Sequence, residues 1–187
     1  MEILGTISGL LYIWFSIRQN ILLWPLGFIT SAFYIYIFFK SGFYADMGLQ
    51  VYYLVISVYG WMYWHFGNKN PGNKNDLPVI KLSPKGWIAS VIVTAILTFA
   101  ISGILIRFTN STIPWWDAFT TAASITATWM LARKYIDNWL FWIVIDSVSA
   151  GLYLYKGLYP TFVLFIVYTV MAFAGFREWF RSLPKKF

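Results

Sequence analysis

The sequence predicts an all-α integral membrane protein with seven transmembrane helices. Of its 187 residues, 59% are hydrophobic and 22% aromatic, while only 11% are charged, against about 25% charged residues in soluble domains. The mean hydropathy of +0.64 agrees with this composition. A membrane span needs about 20 mostly apolar residues, so a chain of this length holds about seven spans and leaves no room for a soluble catalytic domain.

Apolar runs that end at charged residues, Gly or Pro place the seven helices. We expect them near 3–18, 21–40, 45–65, 86–107, 115–133, 138–155 and 158–180. The polar stretch before the fourth helix predicts an exposed loop, because it is rich in Asn and Pro. The chain then divides into a first three-helix repeat (1–65), a loop (66–84), linker helix 4 (85–110), and a second three-helix repeat with a short tail (111–187).

The distribution of positive charge predicts the orientation in the membrane. The net charge is +7, but Lys and Arg lie at the ends of apolar runs and not on one polar face, so no nucleic-acid surface is expected. Three of them fall on one side of the predicted membrane and eleven on the other. Because positively charged loops stay in the cytoplasm, we place the N-terminus outside and the C-terminus, with the Asn/Pro-rich loop, in the cytoplasm.

The first three helices resemble the last three in sequence. An offset of 115 residues carries Trp14 and Arg18 onto Trp129 and Arg133, and carries five residues of the third-helix region onto the seventh: Gly42, Tyr44, Tyr53, Gly60 and Trp64 onto Gly157, Tyr159, Tyr168, Gly175 and Trp179. Between these stretches we align the chain at an offset of 118, which carries Asn20, Trp24 and Ser31 onto Asn138, Trp142 and Ser149.

Helix 4 then has the role of an inversion linker. Two three-helix units in direct succession would have opposite topologies, and one intervening helix gives both the same topology. The predicted architecture is therefore 3+1+3 parallel repeats, as in sugar-efflux proteins of the SWEET type, with a substrate site at the repeat interface near the membrane midplane.

Asp146 is the candidate at the centre of that site. It lies about halfway along helix 6, where a carboxylate costs about 2.5–3.5 kcal/mol to place, so it is expected to face a cavity. Spacings of 3, 4, 3 and 4 put Trp139, Trp142, Ser149 and Tyr153 on the same stripe of the helix. Indole and phenol faces attract cations, and the carboxylate supplies the counter-charge, so the stripe suits a flat cation.

Simpler interpretations of this stripe remain open. Asp146 would also be satisfied by a hydrogen bond to a neighbouring helix, and Trp139 would fit the aromatic belt at the membrane surface.

The first repeat contributes Trp24, Gln50 and Tyr53 as candidate substrate-binding residues. The amide of Gln50 needs a partner or a cavity, because an unpaired polar group in hydrocarbon is costly. Small and hydroxyl-bearing residues elsewhere favour close helix packing over a site, namely Gly9, Thr121, Ser124 and Thr128. No helix carries paired carboxylates, metal-spaced histidines or a nucleophile beside a base, so no catalytic residue, metal or cofactor is expected.

Five motifs along the chain can be compared with known families. They are Trp24-Pro25-Leu26-Gly27, Tyr44-Ala45-Asp46 with Leu49-Gln50, Tyr59-Gly60-Trp61 with Trp64, Trp139-x-x-Trp142-x-x-x-Asp146, and Tyr153-x-Tyr155-Lys156-Gly157-Leu158-Tyr159. Together they resemble the motifs of the bacterial Pnu vitamin transporters, a family with a nicotinamide riboside branch (PnuC) and a thiamine branch (PnuT). The resemblance covers essentially the whole chain apart from helix 4.

This resemblance implies a homotrimer in the bacterial inner membrane with one pathway per protomer. It also implies facilitated diffusion of a vitamin precursor that a cytosolic vitamin kinase traps by phosphorylation. The signature ends in Asn in the nicotinamide riboside branch, whereas Asp146 occupies that position here, as an acid does in the thiamine branch. Both nicotinamide riboside and thiamine therefore remain open, since each has a positively charged aromatic ring.

Two other classes of function compete with passive uptake. One is an intramembrane enzyme or assembly factor without transport. The other is a proton-coupled carrier, although coupling needs a relay of titratable groups and the sequence gives Asp146 no acidic or His companion at depth.

Overall fold

The described residues form seven helices. The computed structural model describes residues 2–41, 44–67, 77–109 and 111–184. The helices are α1 (Glu2–Ile17), α2 (Leu23–Ser41), α3 (Tyr44–Phe66), α4 (Pro84–Phe108), α5 (Pro114–Ala132), α6 (Asn138–Tyr155) and α7 (Tyr159–Arg181). Every helix end lies within two residues of its predicted position. The prediction of an all-α protein is therefore confirmed.

The helices form two groups of three that pack on each other. Within the first group α2 packs on α3 and α1 on α2, and within the second α6 packs on α7 and α5 on α6. The groups meet where α1 contacts α7 and α3 contacts α5. Helix α4 packs along α5, where the hydroxyls of Thr94 and Thr126 lie 2.9 Å apart in a buried hydrogen bond. The linker helix is thus attached to the second group.

The outer surface is apolar, as a bilayer requires. Within the described residues, three helices are long and apolar enough to cross a membrane, namely α4, α7 and the Leu23–Lys40 part of α2. Large apolar side chains of α4 point away from the protein, and they include Ile88, Ile96, Phe99 and Phe108. Helices α3, α5 and α6 each carry polar residues that face inward. The chain is therefore a membrane-embedded protein.

The turns between the first and second helices of the two groups have the same backbone geometry. Gln19 and Lys134, 115 residues apart, both lie in the left-handed region, with φ of 52° and 56°. The N–H of Gln19 donates to the carbonyl of Ser16 at 3.1 Å, and the N–H of Lys134 donates to the carbonyl of Leu131 at 3.0 Å. The turns therefore correspond at an offset of 115.

This offset continues into the helices that follow. Helices α2 and α6 begin 115 residues apart, as do α3 and α7. Trp24 therefore corresponds to Trp139 and not to Trp142, and the offset of 118 that we expected in this region is wrong. That offset was based on matching residue types, which also occur by chance in an aromatic-rich sequence. The matching backbone geometry of the two turns fixes the alignment at 115 instead.

Three other predictions are not tested. Gly42 lies outside the described residues, and the SWEET-like classification and the segment boundaries stay predictions.

Two tryptophans pack into glycine notches in the same way. A Cβ atom on Gly60 would lie 2.5 Å from the indole of Trp24, and one on Gly175 would lie 2.5 Å from the indole of Trp139. Because no side chain fits at that distance, only glycine allows the indoles to reach their positions. Both tryptophans are almost fully buried there, with 0% and 3% of their surface exposed.

Two further tryptophans join the notches across the group interface. Trp64 and Trp179 contact Trp24 and Trp139 edge to face at 5.5 and 5.7 Å, and their own rings lie 6.3 Å apart. We call these four residues the tryptophan quartet. The indole N–H of Trp64 donates to the carbonyl of Ala132 at 3.1 Å, and this hydrogen bond joins the first group to the second.

The end of the predicted loop is partly packed against the helices. Residues 77–83, which we call the strap, cross the turn between α5 and α6. Leu77 and Val79 are buried, and Ile80 exchanges backbone hydrogen bonds with Lys134 and Ile136 at 3.1 and 2.9 Å. The expectation of an exposed loop is wrong for Leu77 and Val79, because these apolar side chains cover the helix ends. Asn68 to Asp76 lie outside the described residues.

Asp137 fastens the strap to α4 and α6. Its carboxylate accepts hydrogen bonds from the backbone N–H of Leu82 at 2.6 Å and from the indole N–H of Trp87 at 2.9 Å. We call the side of the bundle with the strap and the tryptophan quartet the strap end.

We expect Gly60→Ala to destabilise the protein by about 1–3 kcal/mol, because the added methyl group forces the Trp24 indole out of its notch. Gly48→Ala on the same helix is the matched control, since a Cβ there meets nothing within 4 Å. Melting temperatures in detergent measure both. Equal melting temperatures for the two variants would contradict the notch.

Candidate functional site

A cavity of about 700 Å³ lies between the two groups of helices. Residues from α1, α2 and α3 form one wall and residues from α5, α6 and α7 form the other. None of the described residues of α4 borders it. The cavity therefore lies at the interface of the two groups, where the sequence places the substrate site.

The cavity extends along most of the length of the bundle. At the strap end its floor includes Ser16 in the last turn of α1 and Asn138 at the start of α6. Toward the opposite end it reaches Gln50, near the start of α3, and Tyr153, near the end of α6. An ion pair between Asp117 and Lys156 at 3.6 Å marks that opposite end.

Seven of the eight predicted substrate-binding residues border this cavity. They are Gln50, Tyr53, Trp139, Trp142, Asp146, Ser149 and Tyr153. The eighth, Trp24, is not among the lining residues, because its indole fills the notch at Gly60. Trp139, its counterpart in the second group, fills the equivalent notch and borders the floor of the cavity as well.

Asp146 lies in the wall formed by α6, and 5% of its surface is exposed. Trp142, one turn earlier, and Ser149, one turn later, line the cavity with it. Within the described residues no Lys, Arg or His forms an ion pair with Asp146. The cavity wall thus combines an indole with a carboxylate that has no cationic partner in the described part of the chain.

Residues that we expected only to pack helices also reach the cavity. Thr121, Ser124, Thr128 and Gly9 all line it. The hydroxyls of Ser124 and Thr128 donate to backbone carbonyls of their own helix at 2.8 Å, so their oxygen lone pairs can still accept hydrogen bonds. These α5 side chains therefore border the cavity, and their assignment to helix packing stays a prediction.

Two tyrosines that the sequence analysis missed complete the lining. Tyr12 of α1 and Tyr168 of α7 border the cavity. Tyr168 could have been predicted from the repeat, because the offset of 115 maps the predicted site residue Tyr53 onto it. Tyr12 could have been predicted from helix spacing, because it lies four residues from both Ser8 and Ser16, which line the cavity on the same face of α1.

The described residues hold no group of three or more His, Asp or Glu side chains that could bind a metal ion. The described residues around the cavity instead offer aromatic faces, hydroxyls, two amides and one carboxylate. Such a set can bind a small aromatic molecule with polar substituents, and it can neutralise one positive charge.

Comparison with known proteins identifies a family. A family model described as nicotinamide mononucleotide transporter matches residues 1–181. The nicotinamide riboside transporter PnuC of Escherichia coli is 28% identical over 210 aligned residues, which cover 100% of this chain and 87% of that protein. The riboflavin/roseoflavin transporter RibM of Streptomyces davaonensis is 24% identical over 180 residues, which cover 95% of this chain and 83% of that protein.

A solved structure has the same fold. The crystal structure of the vitamin B3 transporter PnuC matches with a TM-score of 0.73 at 19% sequence identity, over 95% of this chain and 79% of that one. At this identity the likeness establishes the arrangement of helices and not the ligand.

Proposed function

Because the chain belongs to the nicotinamide mononucleotide transporter family, we propose that it carries a small cationic aromatic vitamin across the membrane through the cavity between its two helix groups. The relatives described above are transporters, which agrees with the expectation that the chain is not an enzyme.

The observation that carries this proposal is the pairing of Asp146 with Trp142 in the cavity wall. A desolvated cation gains up to about 2 kcal/mol over an indole face. The carboxylate compensates a positive ring charge that would otherwise be costly to bury. Gln50, Ser149 and Tyr153 supply polar groups for the rest of the ligand.

Nicotinamide riboside and thiamine are the two substrates that fit this chemistry best. The name of the Escherichia coli relative favours nicotinamide riboside, whereas Asp146 in the signature favours thiamine. The name of the Streptomyces relative adds riboflavin, whose ring system carries no positive charge and would leave the Asp146 carboxylate without a counter-ion. We therefore rank riboflavin below the two cations.

We propose facilitated diffusion as the mode of transport. Asp117 and Asp137 lie at helix starts and Glu178 lies near the end of α7, so among the described side chains no chain of acids connects Asp146 with either end of the bundle. A proton relay needs such a chain. Phosphorylation of the vitamin by a cytosolic kinase would then make uptake unidirectional.

The cellular setting belongs to the same proposal. Eleven of the fourteen Lys and Arg residues fall on the side of the strap and the C-terminus, which favours a cytoplasmic strap end and an external N-terminus. The resemblance to the Pnu family supports a homotrimer in the bacterial inner membrane, and the exposed apolar face of α4 gives it a surface that lipid or a second copy can cover.

Asp146→Asn tests the role of the carboxylate, because it keeps the shape of the side chain and removes its charge. We expect thiamine binding to weaken by about 1.5–3 kcal/mol, the range for hydrogen bonds to charged groups. Nicotinamide riboside should lose less, since its ribose hydroxyls can bond to an amide. Calorimetric titration of both vitamins measures these losses.

Asp117→Asn is the matched control, since it removes an acid that lies outside the cavity lining, and it should change neither affinity. Equal losses for both vitamins in Asp146→Asn, or no loss for either, would show that Asp146 does not select the substrate.

Uptake into liposomes that contain only the purified protein tests transport itself. We expect labelled vitamin to equilibrate across the membrane at a rate that an imposed pH gradient does not change, because the described side chains provide no chain of acids for a proton relay. Accumulation above the external concentration, driven by the pH gradient alone, would refute facilitated diffusion. Absence of any uptake, with binding intact, would instead favour a function without transport.

A further inference from the structure

Two tryptophans lie directly beneath the floor of the cavity. Ser16 and Leu131, which are 115 residues apart, both line that floor. The indole N–H of Trp179 donates to the carbonyl of Ser16 at 3.0 Å, and that of Trp64 donates to the carbonyl of Ala132, next to Leu131. Each of these hydrogen bonds joins one helix group to the other. The indoles of Trp64 and Trp179, which we call the tryptophan seal, therefore separate the cavity floor from the strap.

Lys134 lies on the far side of this seal and connects three parts of the protein. Its ammonium group donates to the side-chain oxygen of Gln19 at 3.1 Å and to the carbonyl of Leu77 in the strap at 2.9 Å. It also lies 4.5 Å from the ring centre of Trp64. Only 3% of Lys134 is exposed, so contacts with the protein, these among them, compensate the lost hydration of its ammonium group.

Gln19 and Lys134 occupy equivalent positions in the two groups and meet across the interface. Each lies in the left-handed turn that follows the first helix of its group. This conformation is costly for residues other than glycine and concentrates at functional positions. The amide of Gln19 also donates to the hydroxyl of Ser182 after α7, so the pair joins the ends of both groups.

A buried lysine is suited to a contact that must open and close. While the seal is closed, hydrogen bonds and the indole face compensate the loss of hydration of the ammonium group. When the groups separate, water replaces those contacts, so the open and closed states can have similar free energies. A purely apolar seal would be exposed to water on opening without such compensation.

The opposite end of the bundle has a different kind of polar contact. The ion pair there joins Asp117 to Lys156, and both residues belong to the second helix group. This pair can therefore stay intact when the two groups move apart, whereas the bond between Gln19 and Lys134 must break.

We propose that Gln19 and Lys134 lock the strap end of the cavity, and that release of the vitamin at this end requires the two side chains to separate. This inference rests on the proposed transport function. Lys134 acts as a positioning residue, because the tryptophan seal lies between it and the substrate site.

The natural sequence contains no cysteine, so a single introduced thiol reports access to the cavity floor. Ser16→Cys places that thiol on the floor above the tryptophan seal. A membrane-impermeant maleimide, applied to either face of vesicles without vitamin, then measures access from each end. Lys85→Cys, at an exposed position beside the strap, identifies which vesicle face is the strap end.

Two variants of the lock should shift access in opposite directions. Lys134→Met in the Ser16→Cys background should speed labelling from the strap end by about tenfold and slow it from the other end, because the charged hydrogen bonds of the closed state are lost. Gln19→Glu should slow labelling from the strap end, because it converts the neutral acceptor into a carboxylate that pairs with Lys134. Lys156→Met is the matched control, since it removes a lysine whose partner lies within one helix group, and it should label like the parent.

Equal labelling rates in the parent and in both lock variants would overturn the proposal. Faster labelling of Lys134→Met from both ends would also overturn it, since that result means a loosened fold and not a released lock. If Lys134→Met does not fold, an unchanged rate in Gln19→Glu is sufficient to refute the lock. The assay contains no vitamin, so a wrong substrate or an absence of transport would leave its outcome unaffected.

Discussion

A carboxylate halfway along a membrane-spanning helix has to be enclosed by protein, and the arrangement of the other helices around Asp146 satisfies this requirement. Hydrocarbon offers no hydrogen bonds and no counter-charge, so the polar faces of α1, α3 and α5 turn toward the same interior space as α6. Apolar side chains of α4 and α7 face outward. The cavity is therefore a consequence of the same sorting that makes the protein stable in a membrane.

The two helix groups share their turns and tryptophan notches, but the side chains with which they line the cavity differ. At the offset of 115 residues, Asp146 corresponds to Ser31 and Trp142 corresponds to Gly27, and all four line the cavity. The tryptophan notches are nearly the same in both groups, because in each group the indole packs the second helix against the third. The cavity lining does not repeat in the same way, because the counterparts of Asp146 and Trp142 carry neither a carboxylate nor an indole. A cavity between two similar helix groups can thus hold a ligand that has no symmetry of its own.

The sequence predicted the helices well and the contacts between them less well. Hydrophobic runs set the length of each helix, so every helix end could be placed to within two residues. The spacing along α6 likewise identified most of the wall around Asp146. The place of Trp24 depends on Gly60, 36 positions away in sequence, and the burial of Leu77 and Val79 depends on helix ends that meet only after folding. Such contacts leave no periodic signal in the sequence.

The central claim is that a cationic aromatic vitamin binds between the two helix groups with its charge at Asp146. A crystal or electron cryomicroscopy structure of the protein with nicotinamide riboside or thiamine tests this claim most directly. We expect the charged ring to contact the indole of Trp142, with the Asp146 carboxylate as its nearest acid. A ligand bound outside this cavity, or one whose charged ring lies away from α6, would contradict the account.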